Sequence, residues 1–382
     1  MADKSPETQV HITVRLGDAD AGPSPQIAQS EIEELSIVSE LDNPDSCSIL
    51  LNASGVAKQG KTLKLTGKMF VMLSHQGTQA DAAFAGEITG LEPIFAKEGK
   101  AGGTMIVRGL NAMHSLSRGK HSVAYGGGSG KITDSEIVRK IKERNAPAIN
   151  AVEFGEGSEP VIQYDHVYQH NQTDLEFLRH RAARIGYYIL VRDKKLIFKK
   201  RTGAPGKLTF NFGTANQKGF SDKPLQLNRF VPRLSTANQV SEVRVRAWQP
   251  EKRLELVCIA KAGDPKAPPP MGTETGTDAT KSSHPDAPLV RVDIPFSSKD
   301  EGDAIALSLL NERLMSYVTA EGSTPGDPSV KAGEIVKITV GDARFDGNYL
   351  ITYVRHWYKH DGHTPFTTDF RARRDATKQA AK

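Results

Sequence analysis

Residues 125–133 read YGGGSGKIT, a glycine run leading into Lys131 and Thr133. Backbone amides in such a run can cradle phosphate, and the phosphate-binding loop that does so has the spacing G-x-x-x-x-G-K-[ST]. Here Gly126 and Gly130 are separated by three residues rather than four, and Tyr125 stands where the first glycine belongs. Ile132 takes the place of the metal-binding hydroxyl. Thr133 suits a helix N-cap, two residues after the lysine. The spacing therefore predicts a glycine connection ahead of a capped helix, and no ATP hydrolysis.

A second candidate is RHWYKHDGH, with His356, His360 and His363. On an extended strand, positions i and i+4 lie about 13 Å apart, too far to share one metal ion. The pattern predicts a strand end with surface histidines. There is no G-x-S-x-G elbow, no His/Cys ligand cluster and no carboxylate pair marked as acid and base. Trp248 and Trp357 fall in strand patterns and read as core or interface packing. From these residues we expect no enzyme: no catalytic residue, no cofactor and no metal.

The chain that must position any site has 382 residues, 38% hydrophobic and 25% charged. That is the composition of a folded globular protein of two or three domains. Cys47 and Cys258 both sit in apolar runs, which predicts two buried free thiols and a reducing compartment. The polar start MADKSPETQV shows no leader, and no apolar run is long enough to span a bilayer. Net charge is +5, of which residues 371–382 supply +4, from five basic residues against one acidic. The body is thus nearly neutral. Neither nucleic-acid specificity nor direct membrane insertion is expected. The basic end reads as a solvated arm.

TQVHITVRL (8–16) alternates Val10, Ile12, Val14 and Leu16, a half-buried strand. CSILLN, KMFVML, AFAGEITGL and TMIVRGL follow as further short strands, so a barrel or sandwich is expected across 1–110. The texture then changes. TDSEIVRKIKERN (133–145) and TDLEFLRHRAARIG (173–186) have helical spacing. Each opens on a T-x-x-E capping box, Thr133 with Glu136 and Thr173 with Glu176. A hairpin around Arg192–Lys195 should follow. Strands return from about 206, at KLTFNFG, QVSEVRVRAW and LELVCIA. Residues 262–288 are rich in Pro, Gly, Thr and Ser and read as a mobile surface insert. A helix is predicted over 303–318 with Leu307, Leu310, Leu314 and Val318 on one stripe. EIVKITV, NYLITYVRHWY and PFTTDFRAR close the chain as strands.

Several stretches taken in order resemble one family. IVRGLNAMHSLSRGK (106–120) is similar to a G-x-D-x-x-H-x-L-x-R-G segment, with Asn111 where Asp is usual. AFAGEITGLE resembles an F-x-G-x-I strand, and QTDLEFLRHRAARIGYYI (172–189) a T-D-x-x-F-L helix running into G-Y. EVRVRAW is similar to a strand ending G-W-D, although Ala247 and Gln249 depart from it. AGEIVKITVGDARFDGNYLITYVRH (332–356) resembles F-x-G-x-Y-x-I-x-x-V-x-H strands. The family is the baseplate hub group: the VgrG proteins of type VI secretion, late control protein D of tailed phages, and the hubs of extracellular contractile injection systems.

The resemblance implies a mainly β fold with an α/β insert (α+β). It implies two tube-like β-barrel domains per subunit, arranged as a pseudo-hexameric ring in a homotrimer. The domains would be a first barrel over 1–115, an α/β insert of two helices and a hairpin over 116–205, a second barrel over 206–373 carrying the flexible insert 262–288, and a basic C-terminal tail over 374–382. Such a hub adapts the sixfold tail tube to a threefold spike. The chain shows no needle-like repeat after residue 373, so the spike is expected to be a separate protein. Expected partners are further copies of the chain, the tail tube protein, the spike, other baseplate components, and tape measure protein or cargo in the channel. Assembly would occur in the cytoplasm, within a phage tail-like particle. Arg371, Arg373, Arg374 and Lys378 are candidate contacts to the spike or a neighbour. Two rival readings are a tail-assembly chaperone or loading factor, and a cell-wall hydrolase delivered by the particle.

Overall fold

A computed structural model of the chain describes residues 10–17, 26–59, 63–75, 81–95, 103–128, 130–155, 157–200, 208–212, 225–250, 252–281, 283–360 and 366–377. Strands dominate, with helices concentrated after residue 133. The chain divides into two compact units. The first comprises Met1–His114, Ser323–Ala332 and Tyr353–Phe370, and the second Ser115–Gly322, Gly333–Thr352 and Arg371–Lys382.

The first unit is an antiparallel sheet. Its path runs from residues 353–359 through Ile32–Glu40, Ser46–Leu51, Thr104–Asn111, Asp81–Ile94, Lys68–His75 and Val10–Gly17 to Gln26–Ile27. Alternate residues point to one core, in which Ile12, Val14, Leu16, Ile49, Val71 and Val107 are buried. This is the period-two pattern of a sheet with one covered face. The barrel expected here is not closed: among the described residues no pairing joins the two ends of the path. The path finishes in the two-residue strand Gln26–Ile27, which is too short to carry pairing further.

The second unit opens with the α/β insert. The sheet Ala151–Phe154, Lys195–Lys200 and Tyr187–Arg192 is parallel across its first pair and antiparallel across its second. Its hairpin turns at Asp193 and Lys194, both with positive φ, the geometry that matches the twist of the flanking strands. Two helices, Asp134–Arg144 and Asp174–Ile185, accompany it, and both predicted capping boxes form. The second helix ends on Gly186 at φ +77°, a left-handed stop that costs glycine little.

The second barrel expected over 206–373 is likewise not closed among the described residues, and part of that stretch forms a separate three-stranded sheet. Its strands, in order, are Leu254–Lys261, Glu242–Gln249 and Leu289–Arg291. Val243, Val245, Cys258 and Ala260 on one face pack against Ile305, Ala306, Leu307 and Leu310 of the helix Lys299–Leu314. That helix starts four residues earlier than predicted, because Ser298 caps it by accepting from the Glu301 amide. It stops before Val318, which opens the strand Val318–Pro325.

Residues 262–288 differ from the mobile insert expected of them. Met271 is buried, Glu274–Thr275 pairs with Ala376–Thr377, and Thr275 caps the short helix Gly276–Thr280. Backbone pairing and capping act there together with the buried Met271 and with Ala267, which packs against the core beneath the second sheet.

Candidate functional site

Strand alternation sets up an unusual surface in the second sheet. The face away from the helix carries Arg244, Arg246 and Trp248 on one strand and Val257 and Ile259 on the next. Val290 sits opposite Arg244 on the third strand, and Val292 follows it. Trp248 is 61% exposed and Val292 71%, with Val257, Ile259 and Val290 each 40% or more. Contiguous exposed apolar groups of this number mark an interaction surface, whereas scattered ones do not. Charged groups lie among these residues and are paired with one another: Lys261 Nζ lies 3.1 Å from Glu242 Oε2 and Arg246 Nη1 3.5 Å from Glu255 Oε1. Arg244 and Arg246, on the middle strand, stand between the apolar groups of the two outer strands, and such a mixture of apolar and internally paired polar groups is what a protein interface carries. Trp248 had read as core or interface, and its exposure assigns it to a surface.

The insert carries a contrasting polar cluster, with Asp134, Asp174 and Arg181 buried and Arg144 partly exposed. The first residue of each helix is an aspartate, and each is gripped by an arginine of the other helix. Arg181 donates Nε to Asp134 Oδ1 at 2.6 Å and Nη2 to Oδ2 at 3.0 Å. Arg144 donates Nε to Asp174 Oδ2 at 3.1 Å, and its Nη2 also bonds Asp174. Tyr164 donates to Asp134 at 2.7 Å, and its ring lies 4.3 Å under the Arg181 guanidinium. Burial, followed by the Asp134 charge, pushes the Tyr164 hydroxyl well above its usual range, so it stays a donor. Gln169 and Asn145 complete the shell of Asp174 at 2.9 and 2.8 Å. Every carboxylate oxygen is occupied by a donor from the chain itself, so the cluster is a structural frame rather than a reactive centre.

The other sequence candidates are placed individually. Lys131 lies 3.6 Å from Asp165 beside a tight Gly127–Gly130 turn, and Thr133 caps the helix that follows. His356 is buried rather than at the surface, because its strand side faces the first unit's core. Its Nδ1 is 2.9 Å from Thr368 Oγ1, and burial holds the imidazole down at about 4. His360 Nδ1 is 3.2 Å from the Tyr358 hydroxyl, while His363 lies outside the described residues. No group of three or more metal-ligating side chains occurs among the described residues.

Of the four basic candidates, Arg371 and Arg373 are exposed, and Arg371 Nε is 3.7 Å from Glu321. Lys378 lies outside the described residues. Arg374 is fully buried: it donates to the carbonyls of Asp346 at 2.7 Å and Met271 at 3.3 Å, and stacks 5.1 Å over Tyr349. Its guanidinium occupies the space where a Cβ on Gly347 would come within 2.6 Å, which only glycine leaves open. Arg374 is thus a core residue and not part of a free arm.

The family model described as the Alg8 N-terminal domain matches residues 84–360, most of the chain. The chain belongs to the Alg8 N-terminal domain family. No curated protein matches this family member in sequence. Among solved structures, it is similar to a tail protein of Neisseria meningitidis, with TM-score 0.64 and 14% identity over 96% of this chain and 97% of the other. It is also similar to the 43 kDa tail protein of prophage MuSo2 from Shewanella oneidensis, with TM-score 0.64 and 11% identity over 97% and 100% of the two chains. A third is an E. coli component of the type VI secretion system, described as structurally similar to the T4 tail proteins gp27 and gp5. It matches with TM-score 0.53 and 13% identity over 98% of this chain and 79% of that one. At these identities the likeness speaks for the fold: this Alg8 N-terminal domain chain has the fold of tail and secretion-machine proteins. No helix among its described residues is long and apolar enough to cross a membrane.

Proposed function

We propose that the chain is a structural baseplate hub subunit of a contractile injection machine. Three copies form a ring that adapts the sixfold tail tube to a threefold spike, assembled in the cytoplasm as part of a tail-like particle. Its role is to hold neighbours in register rather than to catalyse a reaction. The observation that carries this reading is the end-to-end match to two tail proteins, nearly complete on both chains of each comparison. The ordered hub motifs over residues 83–356 support it, as does an exposed apolar sheet face suited to a large assembly. The tube above, the spike below and further baseplate components are the proposed partners, with Arg371 and Arg373 available at the surface for such contacts.

The test is a count of copies in the finished particle. Cryo-electron microscopy should find three copies lying coaxially between tube and spike, and mass photometry of the purified chain should find a trimer. Six copies, or a monomer absent from the finished particle, would replace the hub with an assembly chaperone or loading factor.

A further inference from the structure

The second unit's three-stranded sheet is covered on one face by the helix Lys299–Leu314 and bare on the other. Building on the homotrimer reading, we infer that the bare face, centred on Trp248, Val257, Ile259, Val290 and Val292, is where one copy of the chain packs against the next.

Two observations select another copy as the occupant. The first is area. The five side chains present on the order of 400 Å² of apolar surface, the size of the largest patch on a typical monomer, which is often functional. A standard interface buries about 800 Å² per partner, a little over half of it apolar. The patch therefore supplies the apolar half of one ordinary protein interface, and the stems of Arg244 and Arg246 with the paired charged groups supply the rest. The second is charge. Arg244 and Lys261 are both within ion-pair reach of Glu242, and Arg246 is within reach of Glu255. The face thus presents three cations against two anions, a net +1, so it makes no demand for a strongly acidic or basic partner. A body that is itself nearly neutral apart from its last residues meets that condition. Every copy also carries the face, and a neighbour in a closed ring covers it at every position, whereas a partner present once per particle does not.

The full-length chain tests this directly. Analytical ultracentrifugation of the unmodified chain should give a trimer. Val257→Asp and Ile259→Asp each place a charge on the face without touching the core behind it. Each should weaken self-association by roughly 100-fold or more while leaving the far-ultraviolet circular dichroism unchanged. Val292→Glu, at the most exposed of the five positions, should do the same and decides the matter if either aspartate variant fails to fold. Val161→Glu, an exposed apolar residue of the insert at 78%, should leave the trimer intact. If the unmodified chain is a monomer at every concentration reached, both the hub reading and this surface fall. If folded variants at all three positions remain trimers, the surface assignment falls and the hub reading stands. Trimeric variants that lose only binding to the tube protein would give the face to the tube instead.

Discussion

Two parts of the second unit handle unfavourable groups in opposite ways. The insert takes Asp134, Asp174 and Arg181 out of water, leaves Arg144 partly exposed, and satisfies each aspartate against an arginine of the other helix. The sheet around Trp248 leaves five large apolar side chains exposed, with none of the described residues covering them. The first region is complete alone, because removing a partner would strand a buried charge. The second is incomplete alone, since covering it would remove apolar surface from water at about 25 cal/mol per Å². What separates the regions is whether the covering group lies in the same polypeptide. Internal completion produces a rigid frame, and external completion produces a docking face.

The sharpest way to break this contrast is to remove one member of the frame. Arg181→Ala leaves Asp134 buried beside Tyr164 without its counter-charge and should cost about 3–5 kcal/mol in urea unfolding. A loss below about 1 kcal/mol would mean that water reaches Asp134 and that the frame is not closed.

Burial that outweighs a nearby carboxylate, Asp327, gives a second comparison, in the first unit. His356 is neutral when folded, with its imidazole held at about 4 against an ordinary value of 6.5. Because the folded value is the lower one, the unfolded chain takes up the proton first. Stability is therefore full above pH 6.5 and falls as pH drops from 6.5 toward 4. Between pH 7.5 and 5 this group should contribute a loss of about 2 kcal/mol. His356→Asn should remove that increment from the pH dependence, as measured by denaturant unfolding at both pH values. An unchanged slope would refute it.

Capping sits lower on the scale. Thr133→Ala and Thr173→Ala each delete a side-chain acceptor at the first turn of a frame helix and should cost about 1 kcal/mol each. Equal losses would show that the two helix starts carry equal weight in the frame. At the bottom lies the docking face. Trp248→Ser should change the stability of the isolated subunit by no more than about 0.5 kcal/mol, despite removing the largest apolar side chain in the patch. A loss of 2 kcal/mol would place Trp248 in a core and erase the distinction between the regions.

The capping boxes were legible in the sequence because Thr and Glu lie three residues apart on one turn. The ion pairs they introduce were not, since Arg181 and Asp134 are separated by 47 positions and no local pattern links them. The strand Ile32–Glu40 was missed because a bulge between Ile32 and Glu34 breaks its alternation. LELVCIA reads as a strand in an apolar run with a buried cysteine, and the run does not say which of its other residues are covered. Here Cys258 faces the helix, while Val257 and Ile259 face outward. The order in residues 262–288 was invisible for a different reason. Its anchors include backbone groups, such as the Met271 carbonyl that receives Arg374 from 103 positions away, and composition carries no record of them. The same contact hides a buried arginine inside what reads as a charged tail.

Cys47 and Cys258 are both buried and free, and burial raises both thiols, that of Cys258 to about 11. At neutral pH neither offers a thiolate to reagents in solution. The folded protein is thus chemically silent toward maleimides and disulfide exchange. One cysteine introduced on the Trp248 face would be the sole labelling site, and a spectroscopic probe placed there would report the wetting or drying of that face during assembly.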